Sequence, residues 1–223
     1  MVDSDLLPGP FAVAGVIVRE TATGELPYNL AITLARVAAS FVVAMAIGIV
    51  IGVVMGRSRL VDRLFDFWLI IFLNLPALVV IILAYVWMGL VEAAVIVAVA
   101  VNKIPNVAVT LREGARTLDR DYQEMAQSFA LGRRARLVHV VLPQLYPFIA
   151  ASARTGLALI WKIVLVAELL GQSNGVGFQL NLYFQLFDIS GILAYAFAFI
   201  LVIQAVEVFL LQPMERRVNR WRR

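Results

Sequence analysis

The chain has 223 residues, of which 62% are hydrophobic and 15% are charged, and it contains no cysteine. Soluble domains average about 45–50% apolar and about 25% charged residues, so the composition excludes an ordinary soluble domain, and the lack of cysteine excludes disulfide frameworks and thiolate metal sites. The net charge of +4 does not indicate nucleic acid as a partner, because the arginines lie at the ends of apolar segments.

Five apolar segments approach the roughly 20 residues that an α-helix needs to cross a bilayer. A further apolar segment, 11–18, is too short to cross and is expected either in the membrane interface or packed against the helix bundle. The sequence therefore predicts an all-α polytopic membrane protein with about five transmembrane helices. The predicted spans are 30–55, 67–88, 93–111, 148–170 and 191–211.

Three arginine clusters predict the orientation of these spans, because lysine and arginine are enriched in cytoplasmic loops of membrane proteins. With five spans all three clusters fall on one side, so the N-terminus is expected outside and the C-terminus in the cytoplasm. The clusters are Arg57, Arg59 and Arg63; Arg112, Arg116, Arg120, Arg133, Arg134 and Arg136; and Arg216, Arg217, Arg220, Arg222 and Arg223.

This topology divides the chain into a periplasmic segment 1–29, a transmembrane domain 30–211 and a basic cytoplasmic tail 212–223. Within the transmembrane domain, 112–147 is the cytoplasmic loop and 171–190 the periplasmic loop. The periplasmic loop is rich in glycine and aromatic residues and is expected to form a short helix at the membrane surface. That helix would serve either as a gate or partner-contact surface or as an interfacial aromatic anchor.

The cytoplasmic loop is predicted to contain two short helices joined by a turn at Gly132. Asp121 precedes Glu124 by three positions, the spacing of an N-cap residue and its reciprocal glutamate. The second helix is expected over 133–142 and is expected to end at Pro143. Apolar residues of the first helix recur on one helical face. They are Tyr122, Met125, Ala126 and Phe129.

This apolar face has two possible uses. Methionine and aromatic residues are enriched in the cores of protein interfaces, so the face can bind a soluble partner. It can equally pack back against the inner ends of the membrane helices. Composition alone does not separate these two alternatives.

Charged residues inside the predicted spans indicate a polar pathway or internal ion pairs. A charge at the centre of a lipid-facing helix costs about 2.5–3.5 kcal/mol, so such residues usually face the interior of the bundle. Lys103 and Lys162 are predicted either to line a pathway that favours an anion or to pair with Glu168 or Glu207. The predicted pathway residues are Lys103, Lys162, Glu168, Asn74 and Trp161.

The cytoplasmic loop resembles the EAA loop of permease subunits of bacterial ATP-binding-cassette (ABC) importers. Met125 replaces the second residue of that motif, and Ala130 stands at the position of the family glycine, with Gly132 two residues later. The residues in register with the motif are Glu124, Ala126, Leu142 and Pro143.

Further motifs extend this resemblance over most of the chain and are similar to the nitrate/sulfonate/taurine branch of the family. They are the stretch 52–59 from Gly52 to Arg59, the stretch Asn74-Leu75-Pro76 with the apolar run to Gly89, the pair Ala167-Glu168, and the stretch Gly175-Val176-Gly177. The resemblance implies the type I ABC-importer permease fold and a place in the bacterial inner membrane.

The same resemblance implies a set of partners. Two permease subunits, identical or related, would form the pore, a cytoplasmic ABC ATPase dimer would bind the loop, and a periplasmic or lipid-anchored solute-binding protein would deliver a small anionic or acidic solute. No Walker A sequence occurs in the chain, so ATP and Mg would be bound by the partner and no cofactor or catalytic residue is expected here. The residues expected to contact or shape the ATPase site are Asp121, Tyr122, Glu124, Met125, Ala126, Phe129, Ala130, Gly132, Leu142 and Pro143.

Two alternatives to a permease are a membrane-embedded enzyme and a structural subunit of a membrane complex. An enzyme would need His, Asp or Glu side chains converging at one depth, whereas the acidic residues within the predicted spans are scattered. An enzyme would also act alone, whereas a permease would co-purify with an ATPase.

Overall fold

The computed structural model describes residues 8–213 of the chain. The arginines of the predicted cytoplasmic tail lie outside the described residues. Within the described part the chain forms helices α1 (Pro10–Ala22), α2 (Glu25–Arg57), α3 (Arg59–Asn74), α4 (Ala77–Met88), α5 (Glu92–Arg116), α6 (Arg120–Ser128), α7 (Arg133–Arg136), α8 (Leu142–Gly171), α9 (Val176–Gln185) and α10 (Ile189–Val206), with π-helical turns at Leu137–Val141 and Glu207–Leu211.

The prediction of an all-α polytopic protein with about five spans is confirmed. Four helical segments of the described chain are long and apolar enough to cross a membrane, and the bent pair α3–α4 would be a fifth. The four are Glu25–Arg57, Glu92–Arg116, Arg133–Gly171 and Ile189–Phe209. The short helix expected in the loop 171–190 is α9.

The second predicted span, 67–88, is wrong as one continuous helix. The chain breaks at Leu75, and the axes of α3 and α4 differ by 96°. Pro76 causes the break, because proline lacks an N–H donor and disfavours a helical conformation in the residue before it. Two side chains bind carbonyls next to the break: Asn74 Nδ2 donates to the Ile70 carbonyl at 2.8 Å and Asn102 Nδ2 to the Leu75 carbonyl at 3.4 Å.

The helix α1 packs against the bundle, which is one of the two alternatives for the segment 11–18. Val13 is buried, and Ile17 packs on the main hydrophobic core. Phe11, at the start of the helix, is 91% exposed. The helix therefore has one face on the bundle and one face outside it.

Helices α2 and α5 form the centre of the bundle and run side by side in the same direction. Small residues permit their close approach, as is common between membrane helices. A Cβ atom at Gly52 would lie 2.5 Å from the Ala108 carbonyl oxygen and 2.8 Å from Leu111 Cβ. This contact explains why the stretch 52–59 carries a glycine at its first position.

Two hydrophobic clusters fill the bundle along α8. One contains Val95, Val99, Ile160 and Tyr195, and the other contains Val107, Leu111, Val141 and Leu145. The end of the bundle that carries α6 is called the loop end, and the end that carries α9 is called the far end. Helix α8 connects the two ends.

Candidate functional site

The first loop helix, α6, begins two residues earlier than the predicted cap implies. Asp119 is the N-cap residue, and its Oδ1 accepts a hydrogen bond from the Asp121 N–H at 2.9 Å. The prediction that Asp121 caps the helix is wrong, because the extended backbone that a cap requires occurs at Asp119 and Asp121 lies in the first helical turn. The Asp119 N–H in turn donates to Gln144 Oε1 at 2.9 Å, which ties the start of α6 to α8.

The end of α6 is a Schellman turn with alanine at its left-handed position. Ala130 has φ +48°, and the Leu131 N–H donates to the Ala126 carbonyl at 2.9 Å, as does the Ala130 N–H to the Gln127 carbonyl. Ala130, at the position of the family glycine, is therefore the turn residue that glycine would favour. Gly132, where the turn was predicted, has an ordinary φ of −59° and caps α7.

The predicted apolar face of α6 is divided between two environments. Ala126 is 1% exposed at the bundle, whereas Tyr122, Met125 and Phe129 are exposed, Phe129 by 75%. Glu124 is also exposed. The face is therefore divided: its alanine is buried, and its large side chains face outward.

The second loop helix does not end at Pro143, contrary to the prediction. Helix runs without interruption from Arg133 to Gly171, a length of 39 residues or about 58 Å. A π-helical turn at Leu137–Val141 precedes the proline, and the Leu142 N–H donates to the Leu137 carbonyl five residues earlier. Such a wide turn lets the helix continue where proline supplies no N–H.

The predicted pathway residues occupy different environments and are not brought into one cluster. Lys103 is 3% exposed inside the bundle, and a Cβ atom at Gly156 of α8 would lie 2.9 Å from its Cε. Trp161 is buried, with its ring 5.7 Å from that of Phe199. Lys162 and Asn74 are exposed on the outside of the described chain.

The alternative in which the two lysines pair with Glu168 or Glu207 is not what the structure contains. Glu168 pairs with Arg36 at 2.8 Å, and Glu207 pairs with Arg154 at 3.0 Å. Among the residues that the structure describes, Lys103 and Lys162 form no ion pair within 4.0 Å.

Glu168 lies at the far end in a buried polar cluster centred on Arg36 of α2. Arg36 Nε donates to Glu92 Oε2 at 2.7 Å, and Nη1 donates to Glu168 Oε1 at 2.8 Å. Nη1 also donates to the Asn174 carbonyl at 2.9 Å, and Nη2 donates to Gln172 Oε1 at 3.1 Å. These five residues, Arg36, Glu92, Glu168, Gln172 and Asn174, are called the Arg36 cluster.

The loop between α8 and α9 is fastened to this cluster through its backbone. The Gly175 N–H donates to Asn29 Oδ1 at 2.7 Å, the Val176 N–H to the Thr33 hydroxyl at 2.9 Å, and the Gly177 N–H to Glu168 Oε2 at 2.9 Å. Gly175 has φ +102° and ψ 167°, a conformation almost restricted to glycine. The spacing of the two glycines is thus explained by the close approach of the loop to Glu168.

Sequence reasoning did not identify Arg36, Thr33, Asn29 or Glu92 as residues of this site. The signal was present, because an arginine inside the predicted span 30–55 needs an internal partner as much as a lysine does. Asn29, Thr33 and Arg36 also recur at spacings of four and three, which places them on one face of a helix.

Known proteins resemble this chain in both sequence and fold. The family model described as "Binding-protein-dependent transport system inner membrane component" matches residues 44–220. A solved structure described as an amino acid ABC transporter with histidines has the same fold, with a TM-score of 0.70 over 90% of this chain and 97% of that chain, at 18% sequence identity.

Curated relatives point to one branch of that family. SsuC of Escherichia coli (strain K12), named for aliphatic sulfonates transport, is 37% identical over 78% of this chain. The aligned part spans 66% of that relative's length. TauC of the same organism, named as a taurine transport system permease protein, is 27% identical over 86% of this chain and 70% of its own length. NrtB of Synechococcus elongatus, a nitrate import permease protein, is 23% identical over 80% of this chain and 67% of its own.

These matches confirm the resemblance drawn from the loop and from the glycine and glutamate motifs. They agree with the helical architecture, in which several apolar helices make the chain a multi-pass membrane protein. The chain belongs to the binding-protein-dependent transport system inner membrane component family, as an ABC importer permease of the sulfonate, taurine and nitrate branch.

Proposed function

We propose that this chain forms half of the translocation pore of an importer for a small anionic or acidic solute, and that α6 couples it to a cytoplasmic ABC ATPase. The observation that carries the proposal is the exposed apolar face of α6, formed by Tyr122, Met125 and Phe129. Large apolar side chains at the centre of a protein contact contribute most to binding, and aromatic residues are enriched there.

The geometry of the loop supports a docking role. Ala126 fixes α6 on the bundle, while the hydrogen bond from Asp119 to Gln144 fixes its start. The helix therefore presents its three outward side chains in a defined position. Contacts that are ordered before binding lose less conformational entropy when the partner arrives.

Arginine placement supports the orientation in which the loop end faces the cytoplasm. Arg57 ends α2 and Arg116 ends α5, and both helix ends lie at the loop end. By the positive-inside rule this end is cytoplasmic, which places the N-terminus and α9 on the outside of the bacterial inner membrane. The ATPase would then bind at the loop end and a solute-binding protein at the far end.

Under this proposal the transport cycle alternates access between the two sides. ATP binding closes the ATPase dimer, α6 moves with it, and the membrane helices of two permease subunits reorient. The second subunit is either a second copy or a related chain. ATP and Mg are bound by the ATPase, and this chain contributes no catalytic residue.

Two observations support an anionic solute. The relatives are named for aliphatic sulfonates, taurine and nitrate; the first two carry a sulfonate group, and nitrate is itself an anion. Within the described chain Lys103 is buried without an ion pair, and a buried ammonium needs a counter-charge, a polar cavity or loss of its proton. A solute anion that reaches the interior would supply that counter-charge. Uptake of labelled taurine and methanesulfonate, with a neutral sugar as control, tests the solute class.

The coupling role is tested by Phe129→Asp, with Gln127→Asp as the matched control on the same helix. The new carboxylate at 129 would have to be desolvated in the contact with the ATPase, so we expect loss of ATPase co-purification and at least about a tenfold fall in uptake. Both variants should insert normally, because both positions are exposed. Normal uptake and ATPase recruitment in Phe129→Asp would overturn the proposal.

A further inference from the structure

We propose that Arg36 is a positioning residue that holds the loop 172–177 closed at the far end, and that helix α8 carries movement from the loop end into the Arg36 cluster. The inference rests on the proposed coupling role of α6, because that role supplies the movement. It adds a residue and a route that the family membership does not specify.

Arg36 is the residue on which the far end converges. Its guanidinium is almost completely enclosed, and all three of its nitrogens donate to acceptors. The acceptors come from α5, α8 and the loop, namely Glu92, Glu168, Gln172 and Asn174. Because the planar guanidinium has five donors in fixed directions, a shift of any one of these elements either breaks its own bonds to Arg36 or draws the guanidinium away from its other acceptors.

The loop 172–177 is held from two helices at once. Asn29 and Thr33 of α2 bind the amides of Gly175 and Val176, whereas Glu168 of α8 binds the amide of Gly177. The loop therefore stays closed only while α2 and α8 keep their present positions relative to each other. Movement of α8 along or away from α2 must release one of the two sets.

The cluster also has a graded exposure that sets the order of release. The Glu168 side chain is fully buried, while the Glu92 side chain is 57% exposed. An exposed ion pair contributes little and exchanges readily with water, whereas a buried pair is expensive to separate. The Arg36–Glu92 pair is thus the one that opens first.

Helix α8 provides the connection to the loop end. The helix that returns from α6 is continuous from Arg133 to Gly171, and Glu168 lies one turn before its end. Gln144 of the same helix accepts the hydrogen bond from the Asp119 N–H at the start of α6. A displacement of α6 is therefore applied to the same continuous helix that carries Glu168.

The consequence is a far end whose opening depends on the loop end. Release of the loop 172–177 would loosen the start of α9 at Val176, whose N–H is bound by Thr33 of α2, while the rest of α9 stays packed on α8 and α10. That change would expose the outer surface of the pore to the arriving solute. Val176, at the end of the loop, is fully buried in the main hydrophobic core in the closed arrangement, so its accessibility reports the change directly.

The absence of cysteine permits a direct test by thiol labelling. Val176→Cys is introduced in the reconstituted transporter with its ATPase, and reaction with a membrane-impermeant maleimide is timed without nucleotide and with ATP plus vanadate. We expect the trapped state to react at least about tenfold faster. Without nucleotide, hydrogen bonds to charged groups must break before the thiol becomes accessible, and this slows the reaction. Ser173→Cys, on the exposed part of the same loop, should react fast in both states.

The role of Arg36 is tested in this background by Arg36→Gln, with Glu92→Gln as a milder variant and Arg19→Gln as the control. Arg19 also pairs with a glutamate, but its side chain is 62% exposed. We expect at least about tenfold faster labelling of Cys at 176 without nucleotide in Arg36→Gln, a smaller increase in Glu92→Gln and none in Arg19→Gln.

Unchanged slow labelling in Glu92→Gln together with unchanged labelling in a folded Arg36→Gln protein would overturn the inference. Labelling of the Val176→Cys protein that does not respond to ATP plus vanadate, while Phe129→Asp still abolishes ATPase recruitment, would overturn the transmission through α8 and leave the proposed function standing. If Phe129→Asp has no effect, the proposed function fails, and the nucleotide-free comparison of Arg36→Gln with wild type still decides the role of Arg36.

Discussion

The two ends of this permease use their residues in opposite ways. At the loop end, α6 exposes large apolar side chains and is fixed by one buried alanine and one side-chain hydrogen bond. At the far end, the Arg36 cluster buries charged groups and uses nearly every donor on other residues of the same chain. A helix held in place with an uncovered apolar face, such as α6, is suited to a partner, whereas a cluster that satisfies its own charges, such as the Arg36 cluster, is suited to hold a conformation.

Helix α8 connects the two ends, so a movement at one end can reach the other. Helix α8 begins beside α6 and carries Glu168 near its other terminus. Because one helix belongs to both regions, a partner that moves the first must act on the second.

The largest loss of stability at the far end is expected from Gly175→Ala. A Cβ atom at Gly175 would lie 2.5 Å from the Glu168 carboxylate, and the φ of +102° is itself unfavourable for alanine. We expect a loss of about 3 kcal/mol in the free energy of unfolding, measured by thermal unfolding of the detergent-solubilised protein. Gly24→Ala is the matched control, because Gly24 has φ +84° but nothing within 4 Å of its Cβ position.

The control variant should lose only about 1 kcal/mol, which is the strain of a left-handed backbone alone. Equal losses in Gly175→Ala and Gly24→Ala would mean that the loop is not pressed against Glu168. In that case the far end would not be the tightly fixed region described above.

At the loop end, a smaller change in stability is expected from Ala130→Gly. Ala130 occupies the left-handed position of the Schellman turn with φ +48°, so glycine removes the strain of its Cβ atom. We expect a gain of about 1 kcal/mol with unchanged uptake. Ala135→Gly, in the helix that follows, should instead lose about 0.5–1 kcal/mol. A loss of stability in Ala130→Gly would contradict the assignment of Ala130 as the turn residue.

The sequence predicted the loop end better than the far end. The first loop helix and its turn are local structures, and their signals lie within about ten residues of one another. The errors there were local as well, since Asp119 and Asp121 are both plausible caps and only the backbone conformation separates them. The helix continues through Pro143 because of a π-helical turn, and no residue pattern in the sequence predicts such a turn.

The far end depends on contacts between residues far apart in the sequence. Arg36, Glu92 and Glu168 come from three helices, and one sequence does not state which charges meet. Resemblance identified Glu168 and the glycines at 175 and 177, but not the arginine that joins them. The break at Pro76 was visible as a proline, whereas its angle of 96° is set by packing and by the hydrogen bond from Asn102.

Binding of the ATPase by the exposed apolar face of α6 can be observed directly. The most direct measurement replaces Phe129 with the photo-crosslinking residue benzoyl-phenylalanine in the intact transporter, with Phe187 of the far end as the matched position; both side chains are exposed, by 75% and 86%. Irradiation is followed by mass spectrometry of the adducts. We predict an adduct with the ABC ATPase from position 129 and none from position 187. An ATPase adduct from position 187, or the lack of an ATPase adduct from position 129, would contradict binding of the ATPase by α6.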